Sequence, residues 1–155
     1  VGRRLNLRHC HSPCPMPRPP RSIHTPGASH QAPIPAAARV GPLLCTSAVS
    51  GKDAGTGALS PDPDEQVRHA FANLQAVLAA GGATLDDVAK LSVSLKDNSV
   101  RERFNAEWLA RFPDPDDRPA RHIVLQDLQH GMWLQIEAIA FIQQTFRTST
   151  GDAAS

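Results

Sequence analysis

Met132-Trp133-Leu134-Gln135-Ile136-Glu137-Ala138-Ile139-Ala140-Phe141-Ile142 is the stretch that decides the fold. Side chains of a strand alternate between two faces. Met132, Leu134, Ile136, Ala138 and Ala140 therefore share one face, and Trp133, Gln135, Glu137, Ile139 and Phe141 share the other. Both faces are largely apolar, so this strand belongs in the middle of a sheet that is covered on both sides. The rest of the sequence supplies cover for only one of them.

That cover is two helices. Asp62, Asp64 and Glu65 crowd a helix start, where negative charge suits the dipole. Val67, Ala70, Phe71, Leu74, Val77 and Leu78 then recur at helical spacing, which gives a helix over 65–80 ended by Gly81-Gly82. Ser99 and Glu102 have the spacing of a capping box. Val100, Phe104, Trp108, Leu109 and Phe112 form the apolar stripe of a second helix, stopped by Pro113 and Pro115.

Three more strands are readable: Leu43–Ser47 after the turn signal Gly41-Pro42, the alternating Lys90–Lys96, and 120–126. The order strand, helix, strand, helix, strand, strand predicts an α+β domain with two helices on one face of a mixed sheet. Its uncovered face needs a partner, and a second copy of the chain is the simplest one.

The domain is expected over 30–143. Residues 1–29 read as a disordered Pro/Arg-rich extension and 144–155 as a flexible tail. The first 30 residues hold five arginines, six prolines, four of the seven histidines and no acid. His9, Cys10, His11 and Cys14 match no standard zinc spacing, so no metal is expected. An Arg-rich, acid-free segment also fits a targeting sequence, though its prolines oppose an amphipathic helix. The extension is expected to contribute nothing to the chemistry.

Charge and cysteine usage exclude several classes. The 155 residues carry 16 basic and 15 acidic side chains, but residues 31–155 stand at a formal −4. No clustered positive surface for nucleic acid is expected there. No apolar run approaches the roughly 18 residues of a membrane span. Three cysteines, an odd and sparse set, exclude a disulfide scaffold and suit a reducing, cytoplasmic setting. Cys45 reads as a small core residue. There is no phosphate loop and no Gly-x-Ser-x-Gly elbow.

What remains is Arg121, at the entry to a strand, and Glu137, in the middle of one. A carboxylate among Ile136, Ala138 and Ile139 is costly to bury unless it is paired or has a task. One reading is an Arg–Glu ion pair tying strands or subunits together. The other is a guanidinium that binds an anion beside a carboxylate that orients water, a role suited to arginine's planar fork.

Arg118-Pro119-Ala120-Arg121-His122-Ile123-Val124 and the closing Leu134-Gln135-Ile136-Glu137-Ala138-Ile139-Ala140 resemble the RidA/YjgF family of reactive-intermediate deaminases, also called the L-PSP endoribonuclease family. Gly82-Ala83-Thr84-Leu85-Asp86-Asp87-Val88 and Asn105 in the second helix add to the likeness, which covers about residues 30–143. The resemblance implies a chorismate-mutase-like fold and a homotrimer with clefts between subunits. It also implies hydrolysis of enamine and imine intermediates, such as 2-aminoacrylate, to 2-keto acids and ammonia without a cofactor. By position, Arg121 would hold the substrate carboxylate and Glu137 would orient water, with Asn105, Ile123 and Ser47 as further substrate-binding positions. The chain departs from the pattern around the cleft: Ile34-Pro35 stands where many members have a tyrosine, Ser47-Ala48-Val49 replaces Ser-Gly-Gln, and Ile123 replaces a frequent cysteine. The alternative within the same fold is a non-catalytic trimer that binds small carboxylates.

Overall fold

The structure is a computed structural model that describes residues 19–143. Its strands are β1 (Ser22–Ile23), β2 (Ala37–Val40), β3 (Leu43–Thr46), β4 (Val49–Ser50), β5 (Val88–Leu95), β6 (Ala120–Leu125) and β7 (Leu134–Phe141). The helices are α1 (Pro63–Ala80) and α2 (Arg101–Arg111). One mixed sheet runs in the order β1-β2-β3-β7-β5-β6, with β4 also pairing β7. Only β5 and β6 are parallel, as expected where α2 forms the crossover between them. The strand quoted first does lie inside the sheet, between β3 and β5.

Both helices pack on one face. Val67, Ala70, Phe71, Leu74, Val77 and Leu78 of α1 are fully buried, as are Leu44, Leu91, Leu95, Leu134, Ile136 and Ala140 of the sheet. Between the helices runs an aromatic stack, with centroids 5.2 Å apart for Phe71–Phe104, 6.5 Å for Phe104–Trp108 and 4.6 Å for Trp108–Phe112. A salt bridge of 2.5 Å from Arg103 to Asp64 ties α2 to the first turn of α1.

Two buried polar side chains fasten the loops to α1. Gln66 donates to the carbonyls of Ser60 (2.6 Å) and Gly131 (2.9 Å) and accepts from the Trp133 N–H (2.9 Å). Asn73 donates to the carbonyls of Ser50 and Lys52. Each amide replaces the water its backbone partners lose, which a buried loop requires.

The other face of the sheet is open. Val40, Leu43, Ile139 and Phe141 are exposed there, Phe141 at 56%. Leu43 pairs with Phe141 and Cys45 with Ile139, so these side chains form a continuous patch. Cys45 is on this exposed face, not in the core as expected from the apolar run around it. The reason is alternation: Leu44 is the β3 residue that turns inward, so its neighbours turn out.

Three further sequence expectations are corrected. Residues before 30 are not all outside the domain: β1 pairs β2, and the 3-10 turn Pro26–Ala28 buries Gly27 and Ala28. The Ser99–Glu102 capping box does not form. A 3-10 turn, Asn98–Val100, precedes α2, and the Asp97 carboxylate caps it by accepting from the Ser99 N–H at 2.7 Å. The first strand region is a hairpin of β2 and β3 followed by the short β4, rather than a single strand. The cluster His9, Cys10, His11 and Cys14 lies outside the described residues, as does the tail from 144 onward.

Candidate active site

Register places Arg121 and Glu137 on opposite faces of the sheet. Leu91 of β5 pairs with Arg121 on one side and Ala138 on the other, and Leu91 is buried under the helices. Ser92, one residue on, pairs with His122 and Glu137. Paired residues share a face. Arg121 is therefore on the helix face and Glu137 on the open one. An ion pair between them within one chain is excluded, and so is a single-chain site containing both.

Each residue stands in its own group. Arg121, on edge strand β6, lays its guanidinium over the Trp108 ring at 4.7 Å and the Phe104 ring at 5.6 Å. Contact with two rings steadies the guanidinium of this exposed arginine. Burial and, secondarily, the nearby charge of Arg101 hold its pKa below the usual guanidinium value. Arginine still stays protonated at any working pH. Among the described residues Arg121 has no carboxylate partner. Ile123, two residues along the same face, packs against the core beside it. Asn105 is on α2 one residue after Phe104, and its Oδ1 is closed off from solvent with no partner.

Glu137 faces outward in a row with Ser92 and His122 across β7, β5 and β6. A shallow cavity of about 140 Å³ covers this row and is also lined by Ser94, Gln126 and Gln135. Opposite Glu137 the sheet is broken. Cys45 pairs with Ile139 and Val49 with Ile136, leaving Thr46–Ala48 without ladder partners on β7. The Ala138 N–H is taken up by the Thr46 hydroxyl at 2.9 Å. Ser47 is thus on the Glu137 side of the molecule. Its hydroxyl donates to the Pro35 carbonyl at 2.7 Å, which anchors the Ile34-Pro35 segment to the break.

A larger cavity, about 430 Å³, adjoins this side and shares Gln135. His30, Lys52, Ala48, His130 and Met132 also line it. Burial, and then the charge of Lys52, lowers the pKa of His30, so the imidazole is neutral at pH 7. Sequence reasoning had no signal for this cavity, because its lining comes from five separate loops and strand ends. Among the described residues no three His, Cys, Asp or Glu side chains are grouped to hold a metal ion. No helix among them is long and apolar enough to cross a membrane.

The five site positions singled out in the sequence thus fall into two groups: Arg121, Asn105 and Ile123 at one edge of the helix face, and Glu137 with Ser47 at the break on the open face. A mixed sheet backed by two helices on one face is the α+β architecture of the RidA structures. The family described as Endoribonuclease L-PSP matches residues 28–142, and the chain belongs to this family, the RidA/YjgF family. It is 32% identical over 103 residues to the 2-iminobutanoate/2-iminopropanoate deaminase of Salmonella typhimurium, covering 65% of this chain and 80% of that protein. RidA from an Antarctic Psychrobacter superposes with a TM-score of 0.72 at 32% identity, over 78% of this chain and 98% of that one. Escherichia coli TdcF with bound serine superposes at 0.72 and 26% identity, over 79% and 98%.

Proposed function

We propose that this protein hydrolyses reactive 2-imino acids and their enamine tautomers to 2-keto acids and ammonia, in clefts between the subunits of a homotrimer. The observation that carries the reading is the Arg121 guanidinium, stacked on two rings and left without an acid among the described residues. A flat, oriented, uncompensated fork is a receptor for a carboxylate. The 32%-identical relative is named for 2-iminobutanoate and 2-iminopropanoate, and a related fold is known with serine bound. Both ligand types carry the α-carboxylate that Arg121 would take.

Because Arg121 and Glu137 face opposite ways, each cleft takes Arg121 from one subunit and Glu137 from the next. The apolar patch of Val40, Leu43, Ile139 and Phe141 supports an assembly that covers the open face. In such a cleft Arg121 grips the carboxylate and Glu137 holds water against the imine carbon. Water adds across the C=N bond, and Glu137 takes its proton. The carbinolamine nitrogen receives a proton, and the C–N bond breaks to release ammonia and leave the keto group. One water is consumed and no electrons are transferred, so no cofactor is needed. Imines hydrolyse unaided, and positioning plus one general base is sufficient help. Free Cys45 on the exposed patch is in keeping with a reducing, cytoplasmic setting.

Ammonia release from 2-iminobutanoate generated in the assay tests the reading. Wild-type protein should accelerate it over the buffer rate, and Glu137→Gln should lose most of that acceleration while still binding 2-oxobutanoate. Binding of small carboxylates without any acceleration by the wild type would favour the non-catalytic trimer instead, a reading kept open by the Ile34, Ala48 and Ile123 departures.

A further inference from the structure

α2 carries three arginines, and two of them are neutralised. Arg103 pairs with Asp64, and Arg111 pairs with Glu107. Arg101 has no acid partner among the described residues. It lies on the same stripe of α2 as Phe104, Asn105 and Trp108, spaced three, four and seven residues on. This is the stripe on which the Arg121 guanidinium rests. Arg101 is half-buried, and its Nε donates to Asn98 Oδ1 at 3.1 Å, which steadies the side chain and leaves its two terminal nitrogens out of that bond.

Two guanidiniums gathered at one stripe with no anion between them repel each other. Burial and the charge of Arg101 both lower the pKa of Arg121, in agreement with such crowding. A single carboxylate is satisfied by one fork bidentately. Arg101 is three residues before Phe104, over whose ring the Arg121 guanidinium lies at 5.6 Å, so a second cation stands near the first and suits a second anionic group further along the same molecule.

We propose that Arg101 is a specificity-determining residue and that the cleft is built for a 2-imino dicarboxylate, with Arg121 on the α-carboxylate and Arg101 on the distal one. The inference rests on the proposed imine chemistry for the reaction, but its binding half stands on the two arginines alone. The substrates it selects are the imines of aspartate- and glutamate-class amino acids, above those with short apolar side chains.

Calorimetric titration of the full chain with 2-oxoglutarate and with 2-oxobutanoate, the keto acids of the two classes, reads the selection directly. The wild type should bind 2-oxoglutarate at least about tenfold more tightly. In Arg101→Gln the ratio of the two affinities should fall to near one, whereas Glu102→Gln, on the exposed side of the same turn, should retain it. Arg101→Lys should keep part of the preference, which guards against a fold defect in the glutamine variant. Equal affinity of the wild type for both acids would overturn the assignment. So would a preference that survives Arg101→Gln, or an Arg101→Gln variant that loses assembly but not selectivity. Failure of the deaminase reading looks different: 2-oxoglutarate binds preferentially, but no imine of either class releases ammonia faster than in buffer.

Discussion

Arg121→Lys is expected to lower ammonia release from 2-imino acids by at least about tenfold while the melting temperature changes little. Lysine keeps the charge but cannot present two parallel donors to a carboxylate, and its ammonium cannot lie flat on a ring. The contacts of the guanidinium with Trp108 at 4.7 Å and Phe104 at 5.6 Å are lost with it. About 1.4 kcal/mol less stabilisation of the transition state corresponds to the tenfold fall. If Arg121 were only a surface cation resting on aromatics, the exchange would cost about 0.5–1 kcal/mol of stability and leave turnover alone. Parallel measurements of ammonia release and thermal melting separate the two cases, and unchanged turnover would remove Arg121 from the mechanism.

Phe104→Ala should have the largest effect on the fold. Phe104 is fully buried and sits between Phe71 and Trp108, under the Arg121 guanidinium. Truncating such a side chain typically costs about 3–5 kcal/mol. For a domain of this size that corresponds to a melting point lower by on the order of 10 °C. Phe104→Leu keeps most of the volume and should melt closer to wild type. It removes the ring beneath Arg121, so its turnover should fall more than its stability. A leucine variant with wild-type turnover would show that Trp108 alone orients the guanidinium.

The long elements were legible in the sequence because each has a buried face with many turns or pleats of repetition. α1 shows its stripe from Val67 to Leu78, β5 alternates through Leu91, Val93 and Leu95, and β7 alternates with no break. β1, β2 and β4 were not legible as they stand. Two to four residues contain no period, and Ala37–Ala38 carries no strand preference; backbone pairing to neighbours far along the chain makes these strands. Asp97 displaced the expected Ser99 cap because a 3-10 turn, Asn98–Val100, occupies that position and moves the start of α2 one residue on, to Arg101.

At the site, the motifs around Arg121 and Glu137 were legible, but their relation in space was not. Alternation tells which residues of one strand share a face. It does not tell how the faces of β6 and β7 correspond. That depends on register through β5, where Leu91 and Ser92 send their two pairs of neighbours to opposite sides. Arg101 was passed over for a different reason. A helix stripe is read from its apolar members, and a charged residue three before Phe104 reads as solvent-facing until Arg121 is found against the same surface.

The central claim is that one active cleft takes Arg121 and Glu137 from different subunits. Co-expression of Arg121→Ala and Glu137→Gln chains tests it most directly, with ammonia release from 2-iminobutanoate as the readout. Each variant alone should be nearly inactive. In trimers assembled at random from equal amounts of the two, about one quarter of the clefts regain both native residues, so about one quarter of wild-type activity should return. Mixed trimers as inactive as either parent would contradict the shared cleft.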